Sequence, residues 1–143
     1  MKKYFPSAKS KTLGIIIWGI LLLVFVLTFY VIYKNSSLSS LIISSIIFLI
    51  TFLFVGTVWF GTGYFISEDY LIIKIGPVTH SRIMISSIRS LSRSNSILSS
   101  PANSLKRLSI KYDQKREVLI SPNNEVDFIS AITNENPKIS VNI

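Results

Sequence analysis

The sequence predicts an α+β protein: a two-helix transmembrane hairpin followed by a small sheet or barrel capped by a C-terminal α-helix. Three observations carry this. Two uncharged apolar runs lie near the N-terminus, separated by one short polar turn. The residues after them read as short strands divided by turn residues. An amphipathic segment between Ser121-Pro122 and Asn136-Pro137 supplies the last helix.

Composition limits the alternatives. The chain has 143 residues, 49% hydrophobic and only 15% charged, with a mean hydropathy of +0.51. That excludes a disordered chain and argues against a purely water-soluble globule. The absence of cysteine excludes disulfides, thiolate chemistry and cysteine-based zinc sites, and a single histidine excludes a His-rich metal cluster. No cofactor or metal is expected.

The first run, Leu13 to Tyr33, is uncharged; at 1.5 Å per residue a helix of this length covers roughly 31 Å, enough for the hydrocarbon core. The second has its apolar centre at Leu41 to Phe60, and the turn between begins at Lys34-Asn35. A cleaved signal peptide would need a shorter apolar region and a small-residue cleavage site. The reading divides the chain into a basic cytoplasmic tail at 1–12, a hairpin at 13–63 with spans at about 13–33 and 41–60, and a cytoplasmic domain at 64–143. Lys2, Lys3, Lys9 and Lys11 precede the hairpin and Lys74 and Arg82 follow it, against Lys34 alone in the turn. Cations favour the cytoplasmic side, so both termini are expected there. The spans contain no Asp, Glu, Lys, Arg or His, and the second carries the hydroxyls of Ser44, Ser45, Thr51 and Thr57. Proton relays and ion pathways need charge inside the bilayer, so anchoring is the expected role.

Beyond Gly61-Thr62-Gly63, Tyr64-Phe65-Ile66, Tyr70 to Ile75 and Val78 to Ile85 read as strands joined by turns at Ser67-Glu68-Asp69 and Gly76-Pro77. Ile88 to Arg93 alternates weakly, with Ile88 and Leu91 inward, and Ser94 to Ser104 reads as a loop. Arg107 to Tyr112 alternates cleanly, turns at Asp113-Gln114-Lys115, and returns through Arg116 to Ile120. Ser121-Pro122 has the form of an N-cap followed by proline at the first helical position. Val126, Phe128, Ile129 and Ile132 give that helix one apolar stripe, and Asn136-Pro137 ends it.

Several of these segments, taken in order, resemble a known family. They are Ser99-Ser100-Pro101-Ala102-Asn103-Ser104-Leu105-Lys106-Arg107-Leu108, then Ile110-Lys111-Tyr112, Leu119-Ile120-Ser121-Pro122, and Phe128-Ile129 through Asn136-Pro137. With Tyr4-Phe5-Pro6-Ser7 ahead of the hairpin, the string resembles the bacterial PH-like (YyaB-like) domain family over nearly the whole chain. The resemblance implies a small PH-like barrel of curved strands closed at one end by the C-terminal helix, in the bacterial inner membrane. The layout is also similar, more distantly, to the sublancin immunity protein. Two positions depart from the family pattern. Tyr112-Asp113-Gln114 stands where Tyr-Gly-Lys is frequent, and Asn123-Asn124-Glu125 stands where basic residues often follow Ser-Pro.

No catalytic constellation emerges. His80 lacks an evident nucleophile and orienting partner, so a surface histidine is expected. Glu68-Asp69 is explained by turn chemistry. The serines between Ser86 and Ser109 form no nucleophile elbow, and no phosphate-binding loop or dinucleotide fingerprint occurs. An enzyme is not expected. Ten cations from Lys74 onward against all seven acids leave the soluble part at only +3. Its aromatics are not interleaved with cations, so nucleic acid is not an expected partner. Arg82, Arg89, Arg93, Lys106 and Arg107 are the candidate contacts to an anionic surface. The expected function is a membrane-anchored binding module that docks a protein or peptide at the cytoplasmic face, with the lipid bilayer as its other partner. The alternative is self-protection against a membrane-active antimicrobial peptide.

Overall fold

The computed structural model describes residues 3–35, 37–94, 102–104 and 106–143. These form two compact units: Lys11–Thr57, and Met1–Ser10 together with Val58–Ile143.

The first unit is the hairpin, made of α1 (Lys11–Asn35) and most of α2 (Leu38–Gly61). Both helices are a few residues longer than the apolar runs, because a helix continues past its hydrophobic stretch until a turn or cap stops it. Rings interlock across the pair, with Trp18 and Phe52 at 5.2 Å and Phe25 and Phe48 at 4.2 Å. Four hydroxyls of α2 turn back to their own helix. Ser44 and Ser45 both donate to the Leu41 carbonyl, Thr51 to that of Ile47 and Thr57 to that of Phe54. Hydroxyls satisfied in this way add no polar surface for lipid to cover. Among the described residues of α2 only Trp59 is buried, so both helices present apolar surface outward. Water does not tolerate that much exposed hydrocarbon, whereas a bilayer accepts it because every backbone group is satisfied within the helix. Both helices are long and apolar enough to cross a membrane, and the apolar window of each is unburied within the structure.

The second unit contains two four-stranded sheets. The first has the order β1 (Lys3–Pro6), β2 (Gly63–Ile66), β3 (Tyr70–Ile75), β4 (Val78–Met84), antiparallel throughout. The second has the order β7 (Arg116–Ile120), β6 (Arg107–Tyr112), β5 (Ile88–Ser94), β8 (Ser140–Asn142), with β8 parallel to β5. No ladder joins the sheets among the described residues, so the barrel implied by the resemblance is two facing sheets and not a closed barrel. The pairing register decides the core. Leu71 lies opposite Ile83, Leu91 opposite Ile110, and Leu108 opposite Ile120, all buried. Because side chains alternate along a strand, these pairs put one apolar face of each sheet inward. Helix α3 (Glu125–Glu135) adds Phe128, Ala131 and Ile132 to that core.

Turn chemistry follows the sequence closely. Ile75 pairs with Val78, so β3 and β4 are joined by two residues, and Gly76 takes a φ of 59°. Two-residue hairpin turns need such a positive φ, which glycine adopts without steric cost. Asp113 takes the left-handed conformation at φ 52° in the β6–β7 turn. That explains the glycine frequent there in the family pattern, and Asp is among the few side chains that tolerate the position.

Three features differ from the sequence reading. The residues taken as an N-terminal tail include β1, an edge strand paired with β2 across the two ends of the hairpin. The helix cap is Asn124, whose side chain accepts the Asp127 N–H at 3.2 Å, instead of Ser121. Ser121 and Pro122 are used elsewhere, and the helix starts three residues later than Pro122 at Glu125. Finally, the chain does not end on the helix. Asn136 caps it, donates from its side chain to the Ile85 carbonyl at 2.9 Å, and leads to Ile139, which is buried, and then to β8.

The last residue of α2 meets the β3–β4 turn closely. A Cβ on Gly61 would lie 2.7 Å from the Gly76 Cα, a backbone atom that no rotamer change can move aside. Gly61→Ala is therefore expected to destabilise the soluble unit by about 1–3 kcal/mol, in the range of other overpacking changes. Thermal melting of the full chain in nanodiscs checks this, and an unchanged midpoint would refute it.

Candidate functional site

A buried polar node lies where the chain leaves and rejoins the soluble unit. The Tyr64 hydroxyl, on β2, donates to Ser7 Oγ at 3.2 Å and accepts the Ser121 N–H at 2.9 Å. Ser7 and Ser121 share a hydroxyl hydrogen bond of 2.9 Å, and the Asn103 N–H donates to Ser7 Oγ at 3.2 Å. Ser7, Tyr64 and Ser121 are all almost fully buried, so each bond replaces water that cannot reach it. Backbone bonds surround the node. The Ser7 N–H donates to the Thr62 carbonyl, the Asn123 N–H to the Pro6 carbonyl, and the Ser10 N–H to the Asn103 carbonyl. Asn103 also donates from its side chain to the Trp59 carbonyl at 2.9 Å. The node thereby joins the segment before α1, the end of α2, residues 102–104, and the β7–α3 junction. Above it Phe5 meets Phe128 edge-on at 5.3 Å.

The family-pattern residues are distributed around this node. Ser121 is in it, Pro122 forms a bridge with Ser7, and Ala102 is buried beside Asn103 in the chain. Leu108, Ile110, Ile120 and Phe128 are core, while Tyr112 and Ile129 pack against the core from its margin. Ser104 supports Arg107, and Asn136 with Pro137 stops α3. Ser100, Pro101 and Leu105, and most of the Ser94–Ser104 loop, lie outside the described residues.

A cleft of about 360 Å³ opens on the second sheet, lined by Arg93 from β5, Arg107 from the start of β6, Lys106 before it, and Glu125 at the start of α3. Arg93 Nε donates to Glu125 Oε1 at 3.1 Å, and Arg107 Nε donates to the Ser104 carbonyl at 3.0 Å. Three of the five candidate anion contacts therefore converge. The other two stand apart. Arg82 is on β4 of the first sheet, its guanidinium 4.1 Å from the centre of the Tyr70 ring. Arg89 is exposed at the opposite end of β5 from Arg93. Sequence reading missed Glu125 as a member, because nothing local shows that the start of α3 comes beside the end of β5.

The remaining candidates are plainly placed. His80 is exposed on β4. Glu68 and Asp69 sit in the β2–β3 turn, where the Asp69 carbonyl accepts the Ile85 N–H at 2.9 Å. No cluster of three or more metal-ligating side chains occurs among the described residues. Strand β4 is the outer strand of the first sheet, seven residues long, and among the described residues nothing pairs with its free side.

Two facing sheets and a capping helix, with two long apolar helices ahead of them, define the class: a PH-like domain with an N-terminal helical hairpin. Residues 62–136 match the family model for the bacterial PH domain, and the chain belongs to that family. No curated protein and no solved structure gave a match. PH domains are in general non-catalytic binding modules, which agrees with a soluble unit built around packing and strand edges.

Burial pushes the Tyr64 phenol above its ordinary value of 10.0, against its hydrogen bonds to Ser7 and Ser121 and the charge of Arg107. The folded chain thus keeps a proton that the unfolded chain releases. This contribution is complete below the unfolded value and is lost as pH rises from there through the folded one. Tyr64→Phe is expected to cost about 1–3 kcal/mol, because the buried Ser121 N–H loses its partner. The variant's stability should also fall less steeply above pH 10 than that of the unaltered chain. Melting curves across alkaline pH measure both effects.

Proposed function

We propose that the protein is a membrane-anchored docking module that takes an extended protein segment as an added strand along β4, at the cytoplasmic face of the bacterial membrane. The observation that carries this is the open outer edge of β4. Its main-chain groups on that side have no strand partner among the described residues, and such groups bind an extended segment by the same ladder that builds a sheet. Val78, His80, Arg82 and Met84 are exposed along it, so side chains of both polar and apolar character are available to select a sequence. Proteins normally protect such edges with proline, a bulge or inward charge. β4 has only the shift in register near its turn.

Two features support a cytoplasmic location for both ends. Pairing of β1 with β2 ties the segments before and after the hairpin into one sheet, which favours both flanks on the same side of the bilayer. The cations at those flanks outnumber the lysine in the turn, which favours the inner side.

Hydrogen exchange tests the docking mode. Extended peptides selected against the full chain in nanodiscs should slow exchange at alternate β4 amides, the period of an added strand. Protection confined to other elements would overturn the reading. For topology, a tag after Ile143 should resist protease added to intact cells and be digested once the membrane is opened. Digestion in intact cells would place the domain outside.

A further inference from the structure

The second sheet is completed by a strand unlike its neighbours. β8 is three residues long, every one of them exposed, and it pairs parallel to β5, while the other two pairings of that sheet are antiparallel. The family match ends at residue 136, so β8 lies beyond it, and without β8 the outer strand on that side is β5 itself. We propose that the outer edge of β5, at Ser90, Leu91 and Ser92, is a docking site for an extended protein segment with an aliphatic anchor. Residues 138–142 are its resident occupant, displaced when the partner binds.

The two ends of this resident segment are held unequally. Ahead of it, Asn136 is fixed by its N–H to the Ile132 carbonyl at 3.1 Å and by its side-chain amide to the Ile85 carbonyl at 2.9 Å. Its side-chain oxygen accepts the Lys138 N–H at 3.1 Å. Beyond that point only Ile139 enters the core. Ser140, Val141 and Asn142 pair with Ser90, Leu91 and Ser92 through the main chain and bury no side chain. Parallel pairing is slightly the weaker kind per residue. A segment with one buried anchor and few apolar contacts opens locally, well below the free energy of global unfolding. Asn136 then acts as the hinge. Opening uncovers a short unpaired strand edge beside the slot that Ile139 filled. A segment running parallel to β5, with an aliphatic side chain ahead of its strand residues, satisfies both. The occupant already seated there shows the chemistry: Ile139-Ser140-Val141-Asn142, uncharged, with its anchor first. This edge belongs to the second sheet, so the inference stands apart from strand addition along β4.

The chain has no cysteine, so an engineered pair has no competitor. Ser90 and Ser140 are register partners, and neighbouring strands bring such residues within disulfide reach. Ser90→Cys combined with Ser140→Cys, in the full chain in nanodiscs, should give a clasp that closes on oxidation and opens on reduction. The probe is a synthetic peptide of residues 138–143, followed through the amide resonances of residues 90–92. On the reduced chain it should displace β8 saturably, with half-displacement at about millimolar peptide, the effective concentration of a segment on a short tether. Oxidation should abolish the response, and a peptide carrying Ile139→Asp should give none. Absence of a saturable shift on the reduced chain, an equal shift after oxidation, or failure of the two cysteines to join overturns the proposal. Hydrogen exchange of the unaltered chain needs no variant: β8 amides bonded to β5 should exchange about 10-fold or more faster than those joining β5 to β6. Equal protection would mean that β8 opens only with the whole sheet and would refute a displaceable occupant. Peptide shifts confined to β4 amides would overturn this site while leaving the β4 reading intact.

Discussion

The hydrogen-bonded node of Ser7, Tyr64 and Ser121 is the constraint on which the soluble unit depends. Four stretches of chain, distant in sequence, end at three buried oxygens. A buried hydroxyl without a partner is costly, so these bonds specify one arrangement more strongly than their net energy would suggest. Because Ser7 precedes the hairpin and Tyr64 follows it, the node closes the soluble unit across an insertion of two transmembrane helices. The 47 residues of Lys11–Thr57 leave and return at a point the node holds fixed.

That arrangement gives the hairpin and the sheets separate tasks. Ser44, Ser45, Thr51 and Thr57 bond back within α2, and neither apolar run carries an Asp, Glu, Lys, Arg or His, so the hairpin presents mainly hydrocarbon. On the reading proposed above, recognition falls to the sheet-bearing unit, along the open edge of β4. The core between the sheets is built from aliphatic side chains with Tyr64 and Phe128.

Most of the strands were legible because their signals are local. Alternation over Arg107 to Tyr112, the turn residues Gly76-Pro77, and the apolar runs of the hairpin each depend on neighbours a few residues apart. The interior positions Ile88, Leu91, Phe128 and Ile132 follow from periodicity in the same way. β1 and β8 were illegible for the converse reason. A strand of three or four residues has too few positions to show a period, and each is stabilised by a partner far away in sequence. Ser121 illustrates a competition between levels. Its local pattern is that of a helix cap, but the tertiary node claims its hydroxyl, and Asn124 caps the helix instead. Of the five cations singled out, composition marked all alike, and only the register of β5 against β6 brings Arg93 near Arg107 while Arg82 and Arg89 stay apart.

What the sequence alone determined is the set of local elements: two apolar runs without charge, short alternating strands, one amphipathic helix. Hydrophobicity and period act over a few residues, so they are written in the chain itself. What only tertiary structure decided is that the residues before the hairpin belong to the sheet after it, that the sheets face each other without closing, and that Glu125 sits among three cations. Each of these is a meeting of distant segments, fixed by buried hydrogen bonds and strand register, which no local pattern encodes.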